Sequence, residues 1–494
     1  MFEFELPEKF RRYVPLAVWL LVALVLLAIP LKIFGYGFLP GDDALRHVAK
    51  AVSGKSWPEI LVLGDSFKID HNFGWHALLG LLHRALHWNA ETLVIFSVVA
   101  LFLAVNGAML PWLKRPEAWL VALLGAMIVS DVPQRFMLGR PFILTSTVLM
   151  TILFAVQKSK PGLKIFLLFA ALIAGCTFVH GVWYLWTLPV AAFFFAGRFR
   201  WAALFLGAWA AGVFFSALLT GHPADYLAQP LLMAAGAVGR HATIRTEAVE
   251  LQPFNGEILA VIFLGAVVAL RIFLKPAGAL PFAKNPAFWL VCGCWILGFR
   301  ISRFWEDWGW PALMVLIATE VEFLLLAKFA ADSLRRLLLV IILALATFLA
   351  VTSDLGSRWT HNLTWQFLSV AEHPELAGWM PETGGVLYTA DRDIFYQTFF
   401  KNPAGGWRYI ISYEPAQMPA EDFETYHKIL WNAGDAKAYA PWVEKMKVAD
   451  RLVIRGNGGE RPNLPELEWN YGVSGLWIGR TPRTGTPFLL HPVK

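Results

Sequence analysis

The chain has 494 residues, of which 57% are hydrophobic and only 16% charged, with a mean hydropathy of +0.53. A soluble domain carries about 25% charged and roughly 45–50% apolar residues, so this composition excludes a soluble globular enzyme, a disordered chain and a disulfide scaffold. The formal charge of +6 says little until each Lys and Arg is assigned to a side of the membrane; Cys176, Cys292 and Cys294 form no disulfide framework, and Cys292-Gly293-Cys294 without partner ligands is a weak metal signal.

About 20 apolar residues are needed to cross the hydrocarbon core as a helix. The apolar runs predict about eleven membrane helices, near 13–34, 91–112, 117–132, 141–157, 163–180, 182–197, 200–220, 257–274, 286–300, 309–327 and 334–352. The first run lacks a small-residue cleavage site and is long enough to span, so it reads as an uncleaved anchor. Lys9, Arg11 and Arg12 precede it, and alternate loops carry Lys114/Arg115, Lys158/Lys160/Lys164, Arg198/Arg200, Lys275/Lys284 and Arg335/Arg336. By the positive-inside rule these clusters face the cytoplasm, which puts the N-terminus inside and the C-terminal tail outside. The expected architecture is an α-helical polytopic module over 1–352 followed by an extracytoplasmic α/β or α+β domain over 353–494.

The first external loop, 35–90, is the most informative stretch. Pro40-Gly41-Asp42 is a helix-start signal, and Ala44, Leu45, Val48, Ala51 and Val52 give the following helix an apolar face. Asp42 then falls at or beside the N-cap, and i,i+4 spacing pairs Asp42 with Arg46 and Asp43 with His47. An N-cap with a helix salt bridge explains these residues. So does a general base, because one of two adjacent carboxylates beside an Arg stays ionised and can accept a hydroxyl proton. Further along the loop, Phe73 to Leu86 predicts an interfacial amphipathic helix. It carries His76 and His83 at i,i+7, a spacing unlike that of a zinc pair.

Several cations sit where the positive-inside rule does not ask for them. Asp131 to Arg135 and Arg140 lie in the short second external loop, His180 ends the fifth span, and Arg240, His241 and Arg245 lie in the loop before span eight. Arg300, Arg303, Glu306 and Asp307 mark the outer junction of spans nine and ten. Each alone serves as a snorkelling anchor; together they form a cationic rim suited to a phosphate-bearing lipid. With Arg46, His47, Arg140, His180, Arg240, Arg245 and Arg303 as its candidate residues, such a site binds a lipid phosphate. Glu320 and Glu322 fall toward the inner end of span ten, where surface exposure is expected.

After Ser353 the chain turns rich in Pro, Gly, Trp and charge. Gly385 to Tyr388 and Arg408 to Tyr413 read as strands, and Asp422 to Leu430 and Pro441 to Met446 as helices. Trp407, Tyr409 and Tyr413 are suited to stacking on sugar rings or to core packing.

An N-terminal span followed at once by Asp42-Asp43-Ala44-Leu45-Arg46-His47 at the head of a large external loop resembles the GT-C superfamily, multi-spanning glycosyltransferases that use polyprenyl-phosphate-linked sugars. The arrangement of the horizontal helix, the external Arg-rich loops and the C-terminal domain is similar across the whole chain, while the local motif is about six residues. The resemblance implies that Asp42, with Asp43 as second choice, activates the acceptor, and that Arg140, Arg240, Arg245 and Arg303 meet the donor phosphate. In metal-dependent members a second-loop acid joins the first. Asp131 is the one acid in the matching loop and the paired motif is missing, so no cofactor is assigned. A divalent ion such as Mg or Mn, if one binds, would use Asp42 and Asp131. The C-terminal domain lacks the Trp-Trp-Asp signature of oligosaccharyltransferases, which argues against N-glycosylation.

The expectation is therefore an inner-membrane glycosyltransferase acting on an extracytoplasmic acceptor, with the bilayer and a lipid-linked donor as partners and no nucleic acid. The rivals are a transporter or flippase of lipid-linked glycans, and a non-catalytic membrane assembly factor.

Overall fold

The computed structural model describes residues 7–129, 132–238, 251–274, 280–363, 365–432, 435–456 and 460–482. It is 66% helical with one small sheet, a helical membrane protein. Among the described residues each of the eleven expected segments contains helix, but only five helices there are long and apolar enough to cross a bilayer by themselves: Glu8–Phe34, Ala90–Trp112, Phe199–Leu219, Ser302–Lys328 and Leu334–Thr352. The others, among them Phe142–Lys158, Leu163–Val179 and Pro286–Gly298, have between 10 and 17 residues. That is short of the length a membrane-normal helix needs, so the eleven-span count is not established by these helices.

The chain folds into two compact units whose boundary does not follow the linear division at Ser353. One comprises Met1–Pro40, His71–Trp75 and Val94–Leu363; the other comprises Gly41–Asp70, His76–Leu93 and Thr364–Lys494.

In the first unit, hydrophobic residues cover the helices all round, as expected of segments without a water-facing side. In the N-terminal helix, Val18, Val22 and Ile29 are fully buried while Leu20, Leu24 and Leu31 point outward. The helix packed against it, Leu334–Thr352, repeats the division, with Val340, Ala344 and Val351 inside and Leu338, Ile342 and Leu345 outside. Small and β-branched residues bring the backbones together; the larger leucines face the apolar surroundings. Among the described residues, ion pairs on buried glutamates tie the helices: Glu117 with Arg336 (2.6 Å), Glu320 with Arg271 (2.7 Å) and Glu322 with the more exposed Lys158 (2.8 Å). Glu320 and Glu322 are thus buried and paired, not surface-exposed as their position in the sequence suggested. A π-turn, Trp305–Gly309, interrupts the Ser302–Lys328 helix. It needs glycine at 309, because a Cβ there would lie 2.4 Å from the Trp305 ring.

The second unit is built on a five-stranded sheet in the order β2-β1-β3-β5-β4. Its strands are β1 (Val386–Tyr388), β2 (Arg408–Tyr409), β3 (Arg451–Arg455), β4 (Glu468–Tyr471) and β5 (Leu476–Arg480). β1 runs parallel to β2 and β3, and β3, β5 and β4 are antiparallel. Its helices are α1 (Asp43–Ser53), α2 (Trp57–Ile60), α3 (Phe73–Leu86, entering this unit at His76), α4 (Arg392–Lys401), α5 (Ala420–Trp431) and α6 (Ala440–Lys445). The chain after α2 adds to the β2 edge: Leu61 bridges Tyr409 in parallel, Val62 N donates to Tyr409 O (2.9 Å), and Gly64 N donates to Gln417 O (2.7 Å). These bonds satisfy edge groups that would otherwise be unpaired and make the first loop an integral part of the sheet domain.

Candidate functional site

α1 begins where the sequence places it. Asp42 has non-helical torsions (φ −125°, ψ −143°), and its carboxylate accepts Ala44 N at 3.5 Å, so it is the N-cap. Ala44, Leu45, Val48 and Ala49 bury the apolar face, and Gly54 ends the helix with φ +65°. Because Asp42 stands outside the helical repeat, the i,i+4 rule does not carry its side chain to Arg46. Arg46 instead donates Nε and Nη2 to Asp43 Oδ1, at 3.2 and 3.1 Å. The expected Asp42–Arg46 pair gives way to this i,i+3 pair, and His47 turns elsewhere.

Arg46 is buried in an aromatic cage, its guanidinium 4.3 Å from the Tyr413 ring centre and 5.7 Å from those of Trp57 and Tyr396. Burial works against its charge, but Asp43 and the two tyrosines outweigh that penalty and raise its pKa. Arg46 Nη1 and Trp57 Nε1 are buried there without a hydrogen-bond partner among the described residues.

A chain of ring nitrogens starts at this guanidinium. Arg46 Nη2 lies 3.4 Å from His47 Nε2, His47 Nδ1 lies 2.8 Å from His76 Nε2, and His76 Nδ1 lies 2.6 Å from Asp70 Oδ2. Arginine can only donate, so His47 Nε2 accepts and its proton sits on Nδ1. That proton is donated to His76 Nε2, which leaves the His76 proton on Nδ1, directed at Asp70. Both imidazoles are therefore neutral and share one tautomer. Burial, joined by the Arg46 charge, holds His47 well below the usual histidine range. Burial also lowers His76, against the pull of Asp70. The result is a continuous line, Asp43–Arg46–His47–His76–Asp70, with a carboxylate at each end.

α4 packs against α1 and contributes its own charged head. Arg392 stands close enough to Asp43, and Asp393 close enough to Asp42, for their charges to interact. Asp42 and Asp43, both half-buried, thus sit among fixed charges of both signs.

The remaining predicted residues belong to the first unit or to undescribed positions. His180 caps the Leu163–Val179 helix and faces Thr145 Oγ1 through Nδ1 (3.0 Å). Arg303 donates Nε to Asp307 Oδ2 (2.9 Å), and Arg135 engages both Asp307 (2.5 Å) and Glu306 (2.6 Å). Arg140 lies just before the Phe142–Lys158 helix and is half-buried. Asp131, Arg240 and Arg245 lie outside the described residues. Among the described residues no three His, Cys, Asp or Glu side chains converge to hold a metal.

No family model matches the chain, and no curated protein matches it.

Asp70, Arg392 and Asp393 belong to no motif legible in the sequence, and His76 stands out there only by its spacing from His83. The one available signal was the unusual density of His and Asp between Asp65 and His83 on a loop that carries an apolar helix.

Proposed function

We propose that the chain is a membrane glycosyltransferase of GT-C type. It moves a sugar from a polyprenyl-phosphate-linked donor to an extracytoplasmic acceptor, in an eleven-helix frame with its N-terminus in the cytoplasm and its sheet-bearing unit outside the inner membrane. The observation that carries this reading is the head of α1, where two adjacent carboxylates follow the first apolar helix and one of them is held by a buried guanidinium. Asp42, at the positive end of the helix, takes the proton of an acceptor hydroxyl as its oxygen attacks the anomeric carbon. The anomeric carbon–oxygen bond breaks with inversion, and the lipid phosphate leaves with the electron pair. Asp43, fixed by Arg46, orients the hydroxyl. Arg303, with Arg240 or Arg245, meets the departing phosphate, as Arg140 and His180 meet the lipid headgroup.

The test is sugar transfer by the full chain in nanodiscs, offered a panel of polyprenyl-phosphate sugars. Replacement Asp42→Asn is expected to lower the rate by about 10²–10⁴, the general-base range. Transfer undiminished in both Asp42→Asn and Asp43→Asn would sink the assignment. One observation favours a second reading, a non-catalytic assembly factor: Arg135 and Arg303 are already paired with Glu306 and Asp307. Absence of transfer from every donor in the panel would favour it.

A further inference from the structure

The second unit contains a cleft of about 410 Å³ lined by Trp365, Asp391, Asp393, Gln397, Arg455 and Leu476. That volume lies at the small end of the range for small-molecule sites, with room for a mono- or disaccharide. We propose that this cleft binds an uncharged sugar ring, stacked on Trp365 and hydrogen-bonded by Asp393 and Gln397.

The walls are fixed by the fold. Asp391 is the N-cap of α4, its Oδ1 accepting Asp393 N at 2.9 Å while its Oδ2 accepts Nε and Nη2 of Arg455 at 2.9 and 2.7 Å. The guanidinium at the end of β3 is therefore clamped to the first turn of α4. Asp393 and Gln397 are spaced i,i+4 and share one face of that helix. The Trp365 ring, also in the lining, lies so close to Gly41 that a Cβ there would be 2.6 Å from it. Gly41 precedes Asp42, and the Asp42 charge acts on Asp393, so the cleft opens beside the head of α1.

The lining chemistry selects the ligand class. One wall is a flat aromatic ring; another combines a carboxylate that only accepts hydrogen bonds with an amide that both donates and accepts. A sugar ring matches both, with an apolar C–H face on one side and hydroxyls that donate and accept around its edge. Two carboxylates against one guanidinium, which is already engaged, leave the lining net negative. That disfavours phosphorylated sugars, uronic acids and nucleotides, all of which would also stack or hydrogen-bond. The proposal rests on the transferase reading only for what happens to the ring afterwards; binding itself does not require it.

The test uses the full chain in nanodiscs and saturation-transfer NMR with titration. The probes are a panel of neutral methyl glycosides, with glucuronate and glucose 6-phosphate as anionic counterparts. At least one neutral glycoside is expected to bind in the millimolar range, with anionic sugars at least tenfold weaker. Trp365→Ala and Gln397→Ala should each weaken binding about tenfold or more, whereas Trp431→Ala, at an exposed site on α5 away from the lining, should leave it unchanged. Trp365 contacts Gly41, so Gln397→Ala keeps the test valid if the tryptophan variant folds poorly. The proposal is overturned if no neutral glycoside binds, if anionic sugars bind as well, or if Gln397→Ala leaves binding unaltered. Transfer that persists without cleft binding would refute the cleft alone; cleft binding without transfer would refute the transferase reading alone.

Discussion

The buried His47–His76 pair makes the sheet-bearing unit acid-sensitive in a way that can be calculated. Both rings are held neutral in the folded protein, below the ordinary histidine value of 6.5. The groups acting on them are Asp43 and Asp70, which raise the pKa, and Arg46 and Lys50, which lower it; burial decides the balance. The unfolded chain has no such burial and takes up both protons as the pH falls through about 6.5. A lowered folded-state pKa therefore contributes stability that is fully present above 6.5 and is lost as the pH drops below it.

If neither ring protonates in the folded state, going from pH 7 to pH 5 costs about 2 kcal/mol per histidine, or about 4 kcal/mol for the pair. Stopping at pH 5 keeps most carboxylates ionised, so the histidines dominate this window. The assay is hydrogen exchange of the α1 and α3 amides in the full chain, corrected for intrinsic exchange rates. Protection should fall between pH 7 and pH 5, by up to about three orders of magnitude in the limit where both rings stay neutral. His76→Gln can still accept from His47 and donate to Asp70 but cannot titrate, so its loss should be about half as large on the free-energy scale. A fall of the same size in His76→Gln would refute the relay as its cause. So would nitrogen-15 spectra showing His76 as an imidazolium at pH 7.

Two further predictions concern the first unit. Arg336→Met strands Glu117, whose side chain is fully buried, and should lower stability by about 3–5 kcal/mol in a denaturation series; Glu117→Met added to it should recover most of the loss. Gly309→Ala places a methyl 2.4 Å from the Trp305 ring and should cost about 1–3 kcal/mol, read as a lower midpoint of thermal unfolding in detergent.

What could be read from the chain was local. The N-cap at Asp42, the positions of the apolar helices, the strand at Val386–Tyr388 and the helix at Ala420–Trp431 follow from spacing and cap chemistry within a dozen residues. The site's internal wiring does not. His47 meets His76 across 29 positions, and Val62 pairs with Tyr409 across most of the chain. No periodicity in one sequence encodes such contacts. His76 and His83, seven residues apart on one helix, part company for the same reason: His76 turns into the core to meet His47, while His83 Nδ1 bonds the backbone carbonyl of Trp88 at 2.7 Å.

The charges outside the Lys/Arg loop clusters behave differently. Read from the sequence, Arg135 and Arg303 are cations without an evident reason to be where they are. In the fold they converge on one carboxylate, Asp307, with Glu306 holding Arg135 from the other side. Two guanidinium groups against two carboxylates make a nearly neutral array, and a phosphate approaching it meets cations whose field is already screened at short range. If this array receives the donor phosphate, the phosphate must compete with Asp307 for Arg303, whose side chain is the more exposed of the two arginines at 31% against 18%. Asp307→Asn would then tighten donor binding by loosening the hold on Arg303 while Glu306 keeps Arg135, whereas Arg303→Gln would weaken it. For a purely structural array, both substitutions destabilise the first unit and neither changes affinity for the lipid phosphate. The opposite signs expected of the two variants in a donor-binding titration make the i,i+4 pair Arg303–Asp307 the sharpest place to separate a transferase from an assembly factor.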